Sequence, residues 1–236
     1  MNVILLEPAD YLSSDRVLLR DHRAQHIREF LGAELSRVLK VGNVDGLLGQ
    51  GEIVRSDDTG IELRVQLDRE PPPKLPLTIV MALPRPKMLK RIFRSVAEFG
   101  VRELILINSY KVEKSFWQSP ALAPTTIRAF CLDGLQQSGD TLLPTIRCEK
   151  RFKPFVEDRL PAIAAGTTAL LAHPGSEQPC PVALNAACTL AIGPEGGFTV
   201  YEVELLRRAG LTGVHLGARI LRVENAMTAL VARLFT

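Results

Sequence analysis

The chain changes character near residue 74. The run Leu77-Thr78-Ile79-Val80-Met81-Ala82-Leu83 is apolar but for one threonine and predicts a strand buried on both faces. A helix is predicted over residues 87–99, because Met88, Leu89, Ile92, Phe93, Val96 and Ala97 recur at helical spacing. Lys87, Lys90, Arg91 and Arg94 fall elsewhere, and Gly100 closes the segment. Strands follow at 103–108, 144–148, 168–172, 189–192 and 213–216, with helices near 125–137, 201–209 and 223–234. Strands alternating with helices predict a parallel α/β sheet. Upstream, short β-prone runs at 16–19, 44–48, 52–55 and 61–67 alternate with Gly and Asp turns, and 25–40 holds one or two helical turns. That pattern predicts a small, β-rich, barrel-like module. Between the two patterns lies Pro71-Pro72-Pro73-Lys74-Leu75-Pro76, a stiff stretch suited to an interdomain linker, which divides the chain into domains 1–73 and 74–236.

Composition narrows the class. A 46% hydrophobic content over 236 residues supplies a full core. The apolar opening Met1 to Leu6 is too short to span a membrane, meets Glu7 at once and lacks a basic leader, so no export signal is expected. Cys131, Cys148, Cys180 and Cys188 stand far apart without a CxxC pair; we read them as reduced thiols of a cytoplasmic protein, not as zinc ligands. The formal charge of +3 hides an asymmetry: residues 74–153 carry 14 basic against 6 acidic side chains, while residues 1–73 carry 9 against 13. A polyanionic partner suits the middle of the chain.

Three loops carry the candidate chemistry, each at the carboxyl end of a predicted strand, where open α/β sheets place their ligand crevices. The first contains Leu170, Leu171, Ala172, His173, Pro174 and Gly175; the second runs Ile192, Gly193, Pro194, Glu195, Gly196, Gly197, Phe198; the third contains Leu216, Gly217, Ala218, Arg219, Ile220, Leu221 and Arg222. Glycine lets a ligand approach the backbone, whose amides and carbonyls can bind an adenine or a carboxylate. Turn chemistry alone would explain any one of them, but three in succession favour a ligand. Thr199 and Glu202 have capping-box spacing, which accounts for both and leaves Glu195 free of a capping role.

Dinucleotide and P-loop fingerprints are missing, as are a GxSxG elbow, an HExxH helix and an EF-hand loop, so hydrolase and metal chemistry have no support in the sequence. The segment 85–94 holds five cations and no acid, either as a solvated helix face or as an RNA contact, with Arg85 and Lys87 at the end of the first strand, where they could hold phosphates. Tyr110, Phe116 and Trp117 interleave with Lys111 and Lys114, as stacking surfaces for bases or as packing over a sheet edge.

The run Gly193-Pro194-Glu195-Gly196-Gly197, followed by Leu216-Gly217-Ala218-Arg219-Ile220-Leu221-Arg222-Val223-Glu224-Asn225-Ala226, resembles the cofactor motifs of SPOUT-superfamily RNA methyltransferases, in the group that methylates N3 of a uridine in 16S ribosomal RNA. Leu83 to Lys87 and Lys114 to Trp117 extend the likeness. The resemblance implies an N-terminal PUA-like RNA-binding β-barrel, a C-terminal SPOUT α/β domain with a deep trefoil knot, S-adenosylmethionine as cofactor, and a cytoplasmic homodimer acting on ribosomal RNA with no membrane partner. Topology rules alone would give an ordinary doubly wound sheet. Carried over by position, the cofactor contacts are Leu171, Ala172, His173, Pro174 and Gly175; Ile192, Gly193, Pro194, Glu195, Gly196 and Gly197; and Leu216, Gly217, Ile220, Leu221, Arg222 and Ala226.

Two positions depart from the family pattern: many relatives carry Thr at Asn225 and Arg at Asp140. In the expected reaction Arg222 and Glu195 form a linked pair near the methyl group, Arg222 stabilising the uridine anion and Glu195 orienting it or taking a proton. Arg16, Arg20, Arg23, His26 and Arg28 are the expected RNA contacts of the first domain. The same residues leave two other readings open: a SPOUT enzyme acting on ribose 2′-O or another RNA, or a non-catalytic RNA-binding or ribosome assembly factor.

Overall fold

In the computed structural model, which describes residues 1–235, the strands form two sheets and the chain divides into two compact units. One unit joins Met1–Pro73 to Leu132–Leu143; the other joins Lys74–Cys131 to the chain from Pro144 onward.

The first unit is built on a six-stranded sheet. Its strands are β1 (Ile4–Leu6), β2 (Tyr11–Ser13), β3 (Arg16–Leu19), β4 (Val38–Asn43), β5 (Leu48–Asp57) and β6 (Gly60–Arg69), in the order β1-β4-β5-β6-β3-β2. Alternation decides what faces inward: Ile61, Leu63 and Val65 of β6 are buried, and they pack with Ile4, Leu6, Val17, Leu19, Val41 and Ile53. Each such side chain contributes about 2 kcal/mol by leaving water. Gly49 lets β5 approach β6 closely, since a Cβ there would lie 1.9 Å from the Gln66 carbonyl oxygen. The segment 132–143 belongs here because its backbone is satisfied by this unit. Asn2 and Val3 amides donate to the Gln136 carbonyl at 2.7 and 3.2 Å, and Leu143 N–H donates to Asp45 Oδ1 at 2.8 Å. Asp140 is buried and accepts from the Thr141 and Leu142 amides at 2.7 and 3.0 Å.

One local expectation fails. Residues 44–47 are the turn between β4 and β5, and the expected strand over 44–48 reaches only Leu48, the first residue of β5, with Asp45 at φ 57°; short-range β propensity misses the turn because Val44 and Leu47 are apolar. The one or two helical turns expected within 25–40 are present: α1 (His22–His26) runs into a π turn at Ile27–Leu31, and the segment from Val38 is strand.

The second unit holds a seven-stranded sheet, parallel throughout, in the order β11-β13-β10-β12-β7-β8-β9. Chain order is β7 (Leu75–Ala82), α2 (Pro86–Glu98), β8 (Val101–Ile107), α3 (Pro124–Ser138), β9 (Thr145–Glu149), a helical stretch containing α4 (Phe152–Pro154) and α5 (Leu160–Ala164), β10 (Thr168–Ala172), β11 (Gln178–Pro179), β12 (Cys188–Ile192), α6 (Val200–Arg208), β13 (Thr212–His215) and α7 (Val223–Phe235). The apolar run at 77–83 is buried throughout except for a trace at Thr78, and all of β12 is buried. From β7 the sheet grows one way through β8 and β9 and the other way through β12, so order reverses between β7 and β12. Register then aligns the strand ends: Met81 pairs with Ile192 and Leu106, and Ala172 pairs with Ile192 and Val214. Among the described residues no helix is long and apolar enough to cross a membrane.

Arg23 is a structural residue, which corrects its expected role in binding RNA. Its side chain is 11% exposed; Nη1 donates to Leu5 O at 2.7 Å and Asp10 Oδ2 at 2.6 Å, Nη2 to Asp10 Oδ1 at 2.7 Å, and Asp21 takes the remaining donors. Burial works against the charge, but the bonds to Asp10 and Asp21 outweigh it and hold the pKa above the ordinary arginine value. No donor is left for phosphate. Arg16 is paired with Glu62 at 3.0 Å, Arg28 donates to Asp57 O at 2.7 Å, the His26 ring lies 5.1 Å from that of Phe30, and Arg20 is exposed. Arg23→Ala leaves Asp10 unpaired in the interior and is expected to lower stability by about 3 kcal/mol in urea denaturation, whereas Arg20→Ala changes it by less than ~0.5 kcal/mol.

Candidate active site

Because neighbouring strands end level, the segments leaving β7, β8, β10, β12 and β13 emerge side by side. Three of them enclose a cavity of about 500 Å³. Ala172, His173 and Pro174 line it from the first loop, Ile192 and Gly193 to Gly197 from the second, and Leu216, Gly217, Ile220, Leu221, Arg222 and Ala226 from the third. Leu171 is fully buried within β10, and neither it nor Gly175 lines the cavity. Phe198 and Arg219, which lie within the candidate loops, and Val214, His215, Val223 and Leu230, which the sequence reading missed, complete the wall. Strand alternation could have found Val214, and the helical spacing of Val223, Ala226 and Leu230 puts them on one face of α7.

The second loop is held at four points. Gly197, at φ 68°, adopts a conformation that a side chain would strain, and its amide closes a turn onto Pro194 O at 2.7 Å. The start of α6 is capped as its spacing predicts: Glu202 N–H donates to Thr199 Oγ1 at 3.3 Å, and Thr199 N–H donates to Glu202 Oε2 at 2.8 Å. The Glu202 carboxylate is buried, and its other oxygen accepts from the Tyr110 amide at 2.8 Å. Lys111 Nζ donates to Gly196 O at 2.6 Å, and Arg85 N–H donates to Glu195 Oε1 at 3.0 Å. The segments after β7 and β8 are thus fastened to the loop after β12.

The expected ion pair between Glu195 and Arg222 is not formed. Both line the cavity, but Glu195 is turned to the Arg85 amide, and Arg222 is exposed with its carbonyl accepting from Ala226 N–H at 2.8 Å at the start of α7. The exposed pair gains too little in water to compete with that amide bond. In the first and third loops the same device recurs: His173 Nδ1 accepts from Gly175 N–H at 3.1 Å, and His215 Nδ1 from Gly217 N–H at 2.9 Å. Desolvation, then the nearby Arg207 charge, pushes the His173 pKa down, so this ring is neutral near pH 7. Arg219, Arg222, Arg85 and Lys111 leave the rim basic, and Lys87 is exposed on α2. Among the described residues no group of His, Cys, Asp and Glu could hold a metal ion.

A deep crevice between backbone-rich loops at the carboxyl ends of parallel strands, with a basic rim, defines a site for a nucleotide-like cofactor beside a polyanion. Residues 70–235 match the family model described as RNA methyltransferase domain, and the chain belongs to that family. A protein of Treponema pallidum named ribosomal RNA small subunit methyltransferase E is 27% identical over 238 residues, spanning 98% of this chain and 90% of its own. Among solved structures, a ribosomal RNA small subunit methyltransferase E from Neisseria gonorrhoeae bound to S-adenosyl methionine matches with a TM-score of 0.74 at 19% identity, covering 98% of this chain and 95% of that one. A methyltransferase from Legionella pneumophila in complex with the bound cofactor SAM matches with a TM-score of 0.72 at 23% identity, over 97% of this chain and 95% of its own. This chain and the two solved structures share the fold.

The shared carboxylate yields a test. Glu202→Gln must turn an NH₂ donor toward either the Thr199 or the Tyr110 amide, and the loss of that bond in a buried setting is expected to cost about 2 kcal/mol in urea denaturation. Glu204→Gln, on the exposed face of the same helix, is expected to leave stability within ~0.5 kcal/mol.

Proposed function

We propose that the protein transfers the methyl group of S-adenosylmethionine to N3 of a uridine in 16S, small-subunit ribosomal RNA. The observation that carries this is the enclosure of one cavity by three loops of an RNA methyltransferase family member, with relatives named for the small-subunit RNA. The cavity suits the cofactor: its volume falls in the range of small-molecule sites, Phe198, Leu216, Val223 and Leu230 supply apolar wall, and the turns supply backbone polar groups for an adenine and a carboxylate. Bound there, the cofactor supplies an electrophilic methyl group.

The residues of the chain do the rest. The N3–carbon bond forms as the sulfur–carbon bond breaks, the bonding pair stays on sulfur, and the N3 proton leaves. Arg222 stabilises the negative charge that develops on the uracil ring, and Glu195, held through one oxygen by the Arg85 amide, uses the other to orient the base or take the proton. Arg85 and Lys87 hold phosphates beside the target, which must present its Watson–Crick edge and so is unpaired or flipped out. The first unit serves as a PUA-like RNA-binding domain, with exposed Arg20 and the outer faces of Arg16, His26 and Arg28 as its contacts. The division at Pro73, the homodimer and the cytoplasmic location belong to the same reading, as does the trefoil knot. The knot is supported by the strap at 180–184, whose Ala183 and Leu184 amides donate to Arg233 O and Leu234 O at 3.0 and 2.6 Å, while Arg233 Nε donates to Cys180 O at 2.7 Å.

Small-subunit RNA and assembled small subunits, treated with the protein and methyl-labelled cofactor, then digested for nucleoside mass spectrometry, are expected to yield N3-methyluridine. Arg222→Ala is expected to lower kcat about 100-fold. Label on ribose 2′-O would favour the first alternative enzyme, and bound RNA without label would favour an assembly factor.

A further inference from the structure

Tyr110 lies in the second unit and is 85% exposed, so it contributes little to that unit's core. Its backbone is nevertheless held firmly. Its own amide donates to the buried Glu202 carboxylate at 2.8 Å, Lys111 next to it donates to Gly196 O at 2.6 Å, and Val112, buried, closes a turn through its amide onto Ser109 O at 3.0 Å. One of these three anchors reaches the glycine-rich loop of the cavity wall, and another reaches α6, the helix that follows this loop. An aromatic face is therefore presented to solvent one residue from the cavity rim, on a rigid turn and beside a lysine. Trp117, in the same segment, is spent differently: its indole N–H donates to Asn108 Oδ1 at 2.9 Å and the residue is half-buried.

A rigid exposed aromatic ring next to a cation is the arrangement that single-stranded nucleic acids use for base stacking. Resting on the reading of the protein as an RNA methyltransferase of the small subunit, we infer that Tyr110 is a positioning residue that stacks an unpaired base of the RNA at the mouth of the cavity. Lys111 acts through the protein: its ammonium is committed to Gly196 O and ties the stacking turn to the cofactor loop. Holding of the cofactor loop and holding of the RNA thereby share one support, the Glu202 carboxylate.

The test compares the wild type with Tyr110→Phe, Tyr110→Leu and Tyr110→Ala. For each, kcat and KM for small-subunit RNA, cofactor affinity and oligomeric state are measured. Crosslinking to RNA that contains 4-thiouridine, with peptide mapping, supplies a readout independent of turnover. Stacking predicts a KM for RNA raised roughly tenfold in the Leu and Ala variants and near wild type in Phe, with cofactor affinity and oligomeric state unchanged. It also predicts a crosslink at Tyr110. An unchanged KM in Tyr110→Ala, a loss that Phe fails to restore, or a change of oligomeric state accompanying the defect would overturn the inference. If wild type methylates RNA but crosslinks only elsewhere, the stacking role falls and the proposed function stands; if wild type neither methylates nor crosslinks, the proposed function itself falls.

Discussion

The site depends on the register of one strand. β12 is buried along its whole length between β10 and β7, and its last residue, Ile192, pairs with Ala172 on one side and Met81 on the other. Since Ala172 also pairs with Val214 and Met81 with Leu106, five strands finish at one level. A slip of one residue would turn every side chain of β12 to the opposite face, a change its neighbours could not absorb. The loops that follow therefore meet because the core does not permit another register.

On that platform a few buried or shared polar groups fasten the loops to one another. Glu202 is the clearest case, because one carboxylate caps α6 and holds the Tyr110 amide. Glu195 fastens the turn after β7, and Lys111 the turn after β8, to the same Gly-rich loop. Chemistry that proceeds by alignment of a methyl donor with a base gains most from such rigidity, since a misplacement of about 1 Å can cost a hundredfold in rate.

Much of this was legible in the sequence. The apolar run at 77–83, the helix at 87–99 and the three glycine-rich loops were readable because local pattern and tertiary role coincide there: a strand buried on both faces must be apolar, and a capped helix must begin after Thr199. What escaped was long-range. Arg23 reads as a surface cation, and only the fold brings Asp10 and the Leu5 carbonyl to it. The pairing of Glu195 with a backbone amide 110 positions away, and the return of 132–143 to the first unit, leave no periodic trace. Asp140 stands in the sequence only as a departure from the family pattern, and the structure gives it a local task, satisfying the amides of Thr141 and Leu142.

The central claim is that the three loops hold S-adenosylmethionine. Calorimetric titration of the purified protein with the cofactor, alone and with small-subunit RNA, tests it most directly, with Gly196→Trp as the control, since Gly196 lines the cavity and an indole there fills space that the cofactor would take. The account predicts saturable binding near one cofactor per chain, lost in a folded Gly196→Trp. No binding under either condition, or binding undiminished by the tryptophan, would contradict it.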